Sequence, residues 1–253
     1  MCELFGFSAP EKIDIKEPLT NFFAHSVKNP HGWGLLDCSK SDYELIREPL
    51  AAFKSQLLKQ TLEIFPPQKN AIAHIRYATI GSIKEVNCHP HHAKDSSGRE
   101  WFLIHNGTIY SGKYLTKFLS TQTGDTDSER ILLFLVEEIN KVQNGTPLSA
   151  RRRFEIIEES VRKLSHRNKL NLMIFDGELL YVHKNMNNSL YYKREGNSIF
   201  FATMPFDEGE WKAFPLSQLY AFQNGQKIFS GNKRSEIFIP HLDFVDSHSG
   251  MNI

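Results

Sequence analysis

Three short turn sequences in the last third of the chain constrain the fold more than any other feature. They lie between alternating or apolar runs, at Asp176-Gly177, Gly196-Asn197 and Asn224-Gly225. Glycine beside Asn or Asp is typical of tight hairpin turns, so the strands on either side of each turn are expected to pair antiparallel. A chain that ends in such hairpins does not follow the strict strand–helix alternation of a parallel sheet.

The middle of the chain is predicted to be helical. Thr126-Asp127-Ser128-Glu129 matches a capping box, and the apolar residues behind it keep helical spacing. A second helix is expected from about Ser149 to Ser165. Its basic residues are expected to form a solvated face: Arg151, Arg152, Arg153, Arg162 and Lys163. Strands, then helices, then strands favour an α+β layered architecture, and no repeat or linker divides residues 1–253, so a single domain is predicted.

Charge and cysteine content limit the kinds of partner and compartment. Thirty basic and twenty-nine acidic side chains nearly cancel, so no net field attracts nucleic acid or an anionic membrane. Three cysteines are too few and odd for a disulfide framework, which favours a reducing compartment. No run reaches transmembrane length, and Glu3 stands where a secretory signal carries positive charge. We expect a cytoplasmic protein that binds small molecules and binds neither nucleic acid nor membrane. The sequence leaves open whether the protein forms a homodimer.

The chain begins Met1-Cys2-Glu3-Leu4-Phe5-Gly6-Phe7. If Met1 is removed, Cys2 carries both a thiol and a free amine whose pKa is about 7.7–8.0. Such an amine can accept the thiol proton during nucleophilic attack, so one residue would supply nucleophile and base. The alternative is that Cys2 is a small apolar residue that opens a buried strand. Cys2 alone does not make a catalytic site, because the groups that would bind and orient a substrate have to come from the rest of the chain.

Four further motifs follow in order. They are Gly32-Trp33-Gly34; Ala73 to Thr79, continuing to Asn87-Cys88-His89-Pro90-His91; His105-Asn106-Gly107; and Thr126 to Glu129. With Met1-Cys2, this ordered set resembles the class II glutamine amidotransferases, whose domain belongs to the N-terminal nucleophile hydrolases. The resemblance covers roughly the first two-thirds of the chain. It implies a four-layer αββα sandwich of two packed antiparallel sheets, with Cys2 opening a central strand and Asn106 near the end of a neighbouring one.

The resemblance also implies a role for each motif. Cys2 would attack the side-chain amide of glutamine and form a thioester, and the Asn106 side chain and Gly107 N–H would form the oxyanion hole. Arg76 offers a planar fork for the substrate α-carboxylate, and Thr79 adds a hydroxyl or backbone donor. Asp127 would hold the α-amino group of the substrate. Gly32 and Trp33 are also expected to bind substrate.

These residues also have structural explanations. Arg76 could end a strand at the surface, although arginine is rarely buried unless it is paired. The helix dipole stabilises a carboxylate in a first helical turn, and this role of Asp127 is compatible with ligand binding. Asn106-Gly107, which follows the apolar run 101–104, is also expected to form a sharp turn.

The stretch Cys88-His89-Pro90-His91-His92 raises the question of a metal site. Adjacent residues of an extended chain point to opposite faces, and no second cluster with zinc spacing occurs in the sequence. We therefore expect no metal and no cofactor, and predict a structural loop beside the site with His89 and His91 as hydrogen-bonded supports.

Two departures from the family pattern bear on the substrate. His31 stands where stand-alone members often have Asp, and Ile80 stands where sugar-using members have a histidine. Loss of that polar contact makes γ-glutamyl compounds larger than glutamine plausible substrates. Three readings stay open: a glutaminase that passes ammonia to a partner protein, a γ-glutamyl amide hydrolase that acts alone, and a non-catalytic binding protein on the same scaffold.

Overall fold

Two antiparallel sheets form the centre of the computed structural model, which describes residues 2–40 and 42–240. The strands are β1 (Glu3–Ile13), β2 (Trp33–Asp37), β3 (Glu44–Glu48), β4 (Gln68–Ile75), β5 (His91–Lys94), β6 (Glu100–Thr108), β7 (Lys169–Phe175), β8 (Leu180–His183), β9 (Tyr191–Glu195), β10 (Ser198–Ala202), β11 (Lys212–Ala213), β12 (Tyr220–Gln223) and β13 (Gln226–Ser230). The helices are α1 (Lys16–Ala24), α2 (Gln56–Ile64), α3 (Asp127–Val142) and α4 (Ala150–Ser165). In the described ranges, none of these helices combines the length and apolar character needed to cross a bilayer.

The strand order places β1 in the middle of the first sheet. That sheet runs β11-β9-β10-β1-β4-β2-β3, and the second runs β13-β12-β8-β7-β6-β5. The three predicted hairpins are confirmed, because β7 pairs with β8, β9 with β10 and β12 with β13, all antiparallel. Gly177, Gly196 and Asn224 have the positive φ angles that such turns need.

Three apolar layers separate the sheets and helices, which confirms the predicted four-layer sandwich. One layer lies between the first sheet and α1 and α2, and includes Phe5 and Phe22. A second lies between the two sheets, with Leu4 and Met173. The third packs α3 and α4 on the second sheet.

Cys2 immediately precedes β1. Side chains alternate along a strand, so Cys2 shares the inter-sheet face with Leu4, while Phe5 and Phe7 point to the outer helices. Asn106 lies near the end of β6, which belongs to the second sheet. The segments of Cys2 and Asn106 therefore belong to two different sheets that face each other, and are not neighbouring strands of one sheet.

The predicted sharp turn at Asn106-Gly107 is wrong. Strand β6 runs through both residues to Thr108, and Gly107 pairs with Leu170 of β7. Glycine is required there for space, because a Cβ at position 107 would lie 2.0 Å from the Lys169 carbonyl oxygen. A pattern typical of a turn thus marks a close approach of backbone to backbone.

Helix α3 begins as predicted, with one change in its capping. The Thr126 hydroxyl accepts a hydrogen bond from the Glu129 N–H at 3.2 Å. The Glu129 carboxylate does not return the bond to Thr126 but accepts from the N–H groups of Thr123 and Gly124. The preceding loop is thereby fastened to the helix.

The predicted solvated face of α4 is wrong at Arg153. Arg151 and Arg152 pair with Glu155 at the surface, but Arg153 is 1% exposed and its Nε donates to Asp176 at 2.7 Å. Asp176, in the β7–β8 turn, is equally buried. Position 153 falls on the apolar side of the helix, so its charge is neutralised inside the protein.

We expect Arg153→Ala to lower the free energy of unfolding by about 3 kcal/mol, because the buried Asp176 carboxylate loses its cation at 2.7 Å and keeps the more distant Arg99, at 3.9 Å. Arg152→Ala, one residue away and exposed, is the matched control and should change it by less than about 0.5 kcal/mol. Urea denaturation of both variants measures the difference. Equal free energies of unfolding for the two variants would contradict a structural role for the Arg153–Asp176 pair.

Candidate active site

A pocket at one end of the inter-sheet layer brings together five of the predicted site residues. They are Cys2, Arg76, Thr79, Gly107 and Asp127. The remaining lining residues are Tyr77, Ala78, Ile80, Asn87, His89, His105, Thr126 and Ser128. Thiol, guanidinium, carboxylate and backbone donors therefore converge from β1, β6, the segment after β4 and the start of α3.

The Cys2 thiol contacts the backbone of Tyr77. Its Sγ accepts a hydrogen bond from the Tyr77 N–H and donates one to the Tyr77 carbonyl, both at 3.3 Å. Burial raises the pKa of Cys2, while the Tyr77 backbone and the charges of Arg76 and Lys169 oppose that shift. The thiol is therefore protonated at neutral pH and needs a base before it can attack. Met1, whose removal would create that base, lies outside the described residues.

Arg76 is the first residue after β4 and is almost fully buried. Its guanidinium donates to the carbonyl oxygens of Ser82 at 2.9 Å and of Ile80 and Gly81 at 3.2 Å each. These bonds leave the Nε–H and one Nη1–H of the five guanidinium donors. Arg76 thus lines the pocket and also holds the loop 80–82 that follows Thr79.

The same loop is fastened from its other side by Asp125, which sequence reasoning missed, and by Asn87, which belongs to a recognised motif but had no predicted role. The Asp125 carboxylate accepts from the Ser82 N–H at 3.0 Å and the Ser82 hydroxyl at 2.9 Å, and the Asn87 side-chain amide donates to it. Asn87 also donates to the Ser82 carbonyl at 2.8 Å. The pocket wall formed by Thr79 and Ile80 is therefore preorganised.

His31, a departure from the family pattern, supports the adjoining wall. Its Nδ1 accepts the Ala78 N–H at 2.9 Å, and its ring packs on Tyr77 with 5.1 Å between ring centroids. Partial burial, followed by the charge of Arg76, lowers the pKa of His31, so the ring is neutral and able to accept at pH 7.

Asp127 occupies the first helical position of α3 and is 5% exposed. Its Oδ2 accepts the Ile109 N–H at 2.9 Å, and its Oδ1 lies 3.5 Å from the Ser128 hydroxyl. The carboxylate is therefore fixed at the pocket wall by backbone, as a binding group for an ammonium needs to be.

Asn106 is buried directly beside Gly107, outside the set of lining residues. Its Oδ1 accepts a hydrogen bond from Lys169 Nζ at 3.3 Å. Sequence reasoning missed Lys169, although Lys169 and Asn171 alternate with leucines at the start of β7 and so mark a polar stretch on one face of an apolar strand.

Gly32 and Trp33, both predicted to bind substrate, lie elsewhere. The Gly32 carbonyl accepts the Arg76 N–H at 2.8 Å, and a Cβ at Gly32 would lie 2.6 Å from Cys88 Sγ. Trp33 is wholly buried in the outer layer against Phe23, and its Nε1 donates to Glu48. The glycine holds the backbone of Arg76, and the tryptophan is a core residue without contact to the pocket.

The histidines of the 88–92 stretch make hydrogen bonds beside the pocket. His89 Nδ1 lies 2.8 Å from His74 Nε2, and His91 Nε2 lies 3.1 Å from the Thr126 hydroxyl. Burial lowers the pKa of His91 to about 3 and that of His74 and His89 well below the ordinary value. These rings are neutral supports. Across residues 2–40 and 42–240, no cluster of His, Cys, Asp and Glu has an arrangement able to hold a metal ion.

Known proteins share this sequence pattern and this fold. The chain matches the family described as "Glutamine amidotransferases class-II" over residues 1–197. An uncharacterized protein of Methanocaldococcus jannaschii is 26% identical over 97% of this chain and 76% of its own length. An Escherichia coli protein with a provisional name as a glutamine amidotransferase is 27% identical over 74% of each chain. The solved glutamine phosphoribosylpyrophosphate amidotransferase of B. subtilis shares the fold with a TM-score of 0.67, at 18% identity over 93% of this chain and 50% of its own.

Proposed function

This chain belongs to the class II glutamine amidotransferases, and from that premise we propose that it cleaves the side-chain amide of glutamine or of a γ-glutamyl amide through a thioester on Cys2. The observation that carries the proposal is the shared pocket of Cys2, Gly107, Arg76 and Asp127. A γ-glutamyl substrate has an α-carboxylate, an α-ammonium and an amide carbonyl, and the pocket offers a partner of suitable charge or hydrogen-bonding type to each.

Two residues would hold the amino-acid end of the substrate. The remaining donors of Arg76 bind the α-carboxylate, with Thr79 as an additional donor, and Asp127 accepts from the α-ammonium. Both charged groups are buried, so their interactions with the substrate are little screened by water. This end of the substrate is then anchored while the side-chain amide reaches Cys2.

Formation of the thioester follows from the state of the Cys2 thiol. After removal of Met1, the terminal amine takes the thiol proton, and sulfur attacks the amide carbon. Asn106 Nδ2–H and the Gly107 N–H stabilise the negative oxygen of the tetrahedral intermediate. The C–N bond then breaks, and the terminal ammonium returns its proton to the leaving nitrogen, which departs as ammonia or an amine.

Water completes the reaction by the same route. The terminal amine takes a proton from water, and the hydroxide oxygen attacks the thioester carbon. The C–S bond breaks, the thiolate regains the proton, and glutamate leaves. The chain therefore contains every group that hydrolysis needs. No acceptor is required for release of glutamate, although efficient use of ammonia would require an ammonia-accepting partner protein.

The amidotransferase unit is proposed to extend over the whole chain and not only over the matched residues. Strand β10 begins at Ser198, directly after the family match ends, and pairs with β1 through Phe5 and Ala202. Strands β12 and β13 add to the edge of the second sheet. The strand that follows Cys2 is thus supported by a segment beyond residue 197.

Hydrolysis of a bulkier γ-glutamyl amide by this chain alone is the second candidate function, and Ile80 favours it. Ile80 lines the pocket next to Thr79, so an isoleucine stands in that wall where sugar-using members have a histidine. An apolar group on the amide nitrogen would gain contacts there that ammonia cannot provide.

The two functions predict different substrate profiles for the purified chain. A preference of about a hundredfold in kcat/KM for one bulky γ-glutamyl amide over glutamine, or ~2.7 kcal/mol, is expected of the stand-alone hydrolase. Ile80→Ala should then narrow that preference by about tenfold. The measurement uses protein whose free Cys2 has been verified by mass, with Cys2→Ala as the background.

The other outcomes of this comparison distinguish the remaining candidate functions. Slow hydrolysis restricted to glutamine favours a subunit that awaits its ammonia-accepting partner. No glutamate release from any member of the panel would contradict the proposed function and leave the binding-protein reading.

A further inference from the structure

Lys169 is a buried lysine that contacts Asn106 and belongs to none of the family motifs recognised in the sequence. It opens β7 and is 5% exposed. Along β7, Lys169 shares its face with Met173, and Met173 packs against Gly6 of β1. Cys2 stands four residues before Gly6, as Lys169 stands four before Met173. Lys169 pairs with Thr108, and its carbonyl lies against Gly107, which lines the pocket together with Cys2. Lys169 is therefore at the pocket end of the inter-sheet layer, where its charge acts on the Cys2 thiol.

The contact with Lys169 determines how the Asn106 amide is oriented. Lys169 Nζ lies 3.3 Å from Asn106 Oδ1. A lysine side chain has donors and no acceptor, so the amide branch that faces it has to be the oxygen. The Nδ2 branch, which carries both N–H groups, is then turned away from Lys169. An oxyanion hole needs this orientation, because only the N–H branch can donate to a negative oxygen.

Lys169 is one of the cations whose charge acts on Cys2, as is Arg76. The remaining titratable groups of the pocket wall are Tyr77, His89, His105 and Asp127. Burial lowers the pKa of both histidines, so neither adds positive charge at pH 7. Burial lowers the pKa of Lys169 to about 8, and its attraction to Cys2 opposes this shift, so most of the ammonium persists at neutral pH.

We propose that Lys169 is a positioning residue of the active site, which holds Asn106 with its N–H branch toward the tetrahedral oxygen and stabilises the Cys2 thiolate by its charge. This inference rests on the proposed amide hydrolysis. Lys169 transfers no proton and forms no bond to substrate in this role. It acts through Asn106 and through the electrostatic field at Cys2.

The test compares Lys169→Met with Lys169→Arg and with a matched control. Lys184→Met is that control, because Lys184 is also a buried lysine but donates to the Leu190 carbonyl and does not line the pocket of Cys2. Two quantities are measured on processed protein: kcat and KM for the best amide, and the pH dependence of Cys2 alkylation by iodoacetamide, followed by peptide mass.

We expect Lys169→Met to lower kcat by about 10- to 100-fold, below the 10²–10³ typical of removing an oxyanion donor outright, and to change KM less than about threefold. Its alkylation midpoint should move to higher pH. Lys169→Arg should keep the alkylation midpoint near that of the native protein and recover most of kcat, while Lys184→Met should leave both quantities unchanged.

An unchanged kcat in Lys169→Met, or an alkylation midpoint that does not move, would overturn the assignment. So would equal effects from Lys184→Met, which would indicate a general role of buried lysines in stability. If Lys169→Met does not fold, Lys169→Gln and Lys169→Arg provide the same comparison. The alkylation measurement needs no substrate, so failure of the native protein to hydrolyse any amide would refute the proposed function while Lys169 is still tested.

Discussion

Replacement of Cys2 by alanine should reduce hydrolysis of glutamine or a γ-glutamyl amide to background, a loss on the order of 10⁵- to 10⁶-fold in kcat, with the fold intact. The physical reason is that residue two alone can supply the attacking sulfur and, as the terminal residue, the amine that takes its proton. Its thiol lies in the pocket against Tyr77, where a small residue is already tolerated. Glutamate release and thermal unfolding measure the two parts of the prediction.

The other two cysteines are the matched controls. Burial raises the pKa of Cys38 well above its ordinary value and that of Cys88 to about 11, so both remain protonated thiols at neutral pH. Neither lines the pocket. Cys38→Ala and Cys88→Ala should therefore retain activity. An N-terminal extension that cannot be cleaved should abolish activity as fully as Cys2→Ala, and full activity of the extended protein would rule out the terminal amine as base.

Arg76→Lys should lower kcat/KM by about 10²- to 10³-fold, mainly through a higher KM. Lysine lacks the planar guanidinium, whose several N–H groups can donate to the loop carbonyls and to a carboxylate at the same time. In this protein the loss is compounded, because the Arg76 guanidinium also holds the carbonyls of Ile80, Gly81 and Ser82. Lysine, with a single nitrogen, cannot serve both the loop and the substrate. Steady-state kinetics on the preferred amide measures the effect.

Arg47→Lys is the control for this prediction. Arg47 is a half-buried arginine that donates to the backbone of Cys88 and Pro90 and does not line the pocket. It should change KM by less than about threefold. Asp127→Asn should raise KM as Arg76→Lys does, since it removes the partner of the substrate ammonium. Unchanged kcat and KM in both Arg76→Lys and Asp127→Asn would place the substrate elsewhere.

Much of the fold could be predicted from local sequence patterns. Hairpin turns such as Asp176-Gly177 have a strong short-range signal, and the capping residue Thr126 fixes the start of α3. The order of strands and helices favours an α+β layered architecture, and the resemblance to the class II glutamine amidotransferases implies the four-layer arrangement.

Residues whose role depends on a distant partner could not be predicted in this way. Gly107 has the sequence context of a turn, but its backbone lies against Lys169 of another strand. Arg153 belongs to a run of surface charges in the sequence and is buried only because Asp176 meets it from the second sheet. Trp33 follows a glycine loop beside the site, yet its side chain packs on α1 through Phe23.

Lys169 illustrates the same limit at the active site. Its alternation with leucine indicates a polar position on one face of β7, but the pairing of β6 with β7 decides that this position adjoins Asn106. Sequence spacing alone contains no information on that pairing, because more than sixty residues separate the two side chains.

The most direct test of the central claim is the intact mass of processed protein quenched in acid during turnover of its best amide. The account predicts that the chain without Met1 gains the mass of one glutamyl group, that peptide mapping places it on Cys2, and that Cys2→Ala shows no gain. Turnover by protein that retains Met1, or a glutamyl group on any residue other than Cys2, would contradict the account.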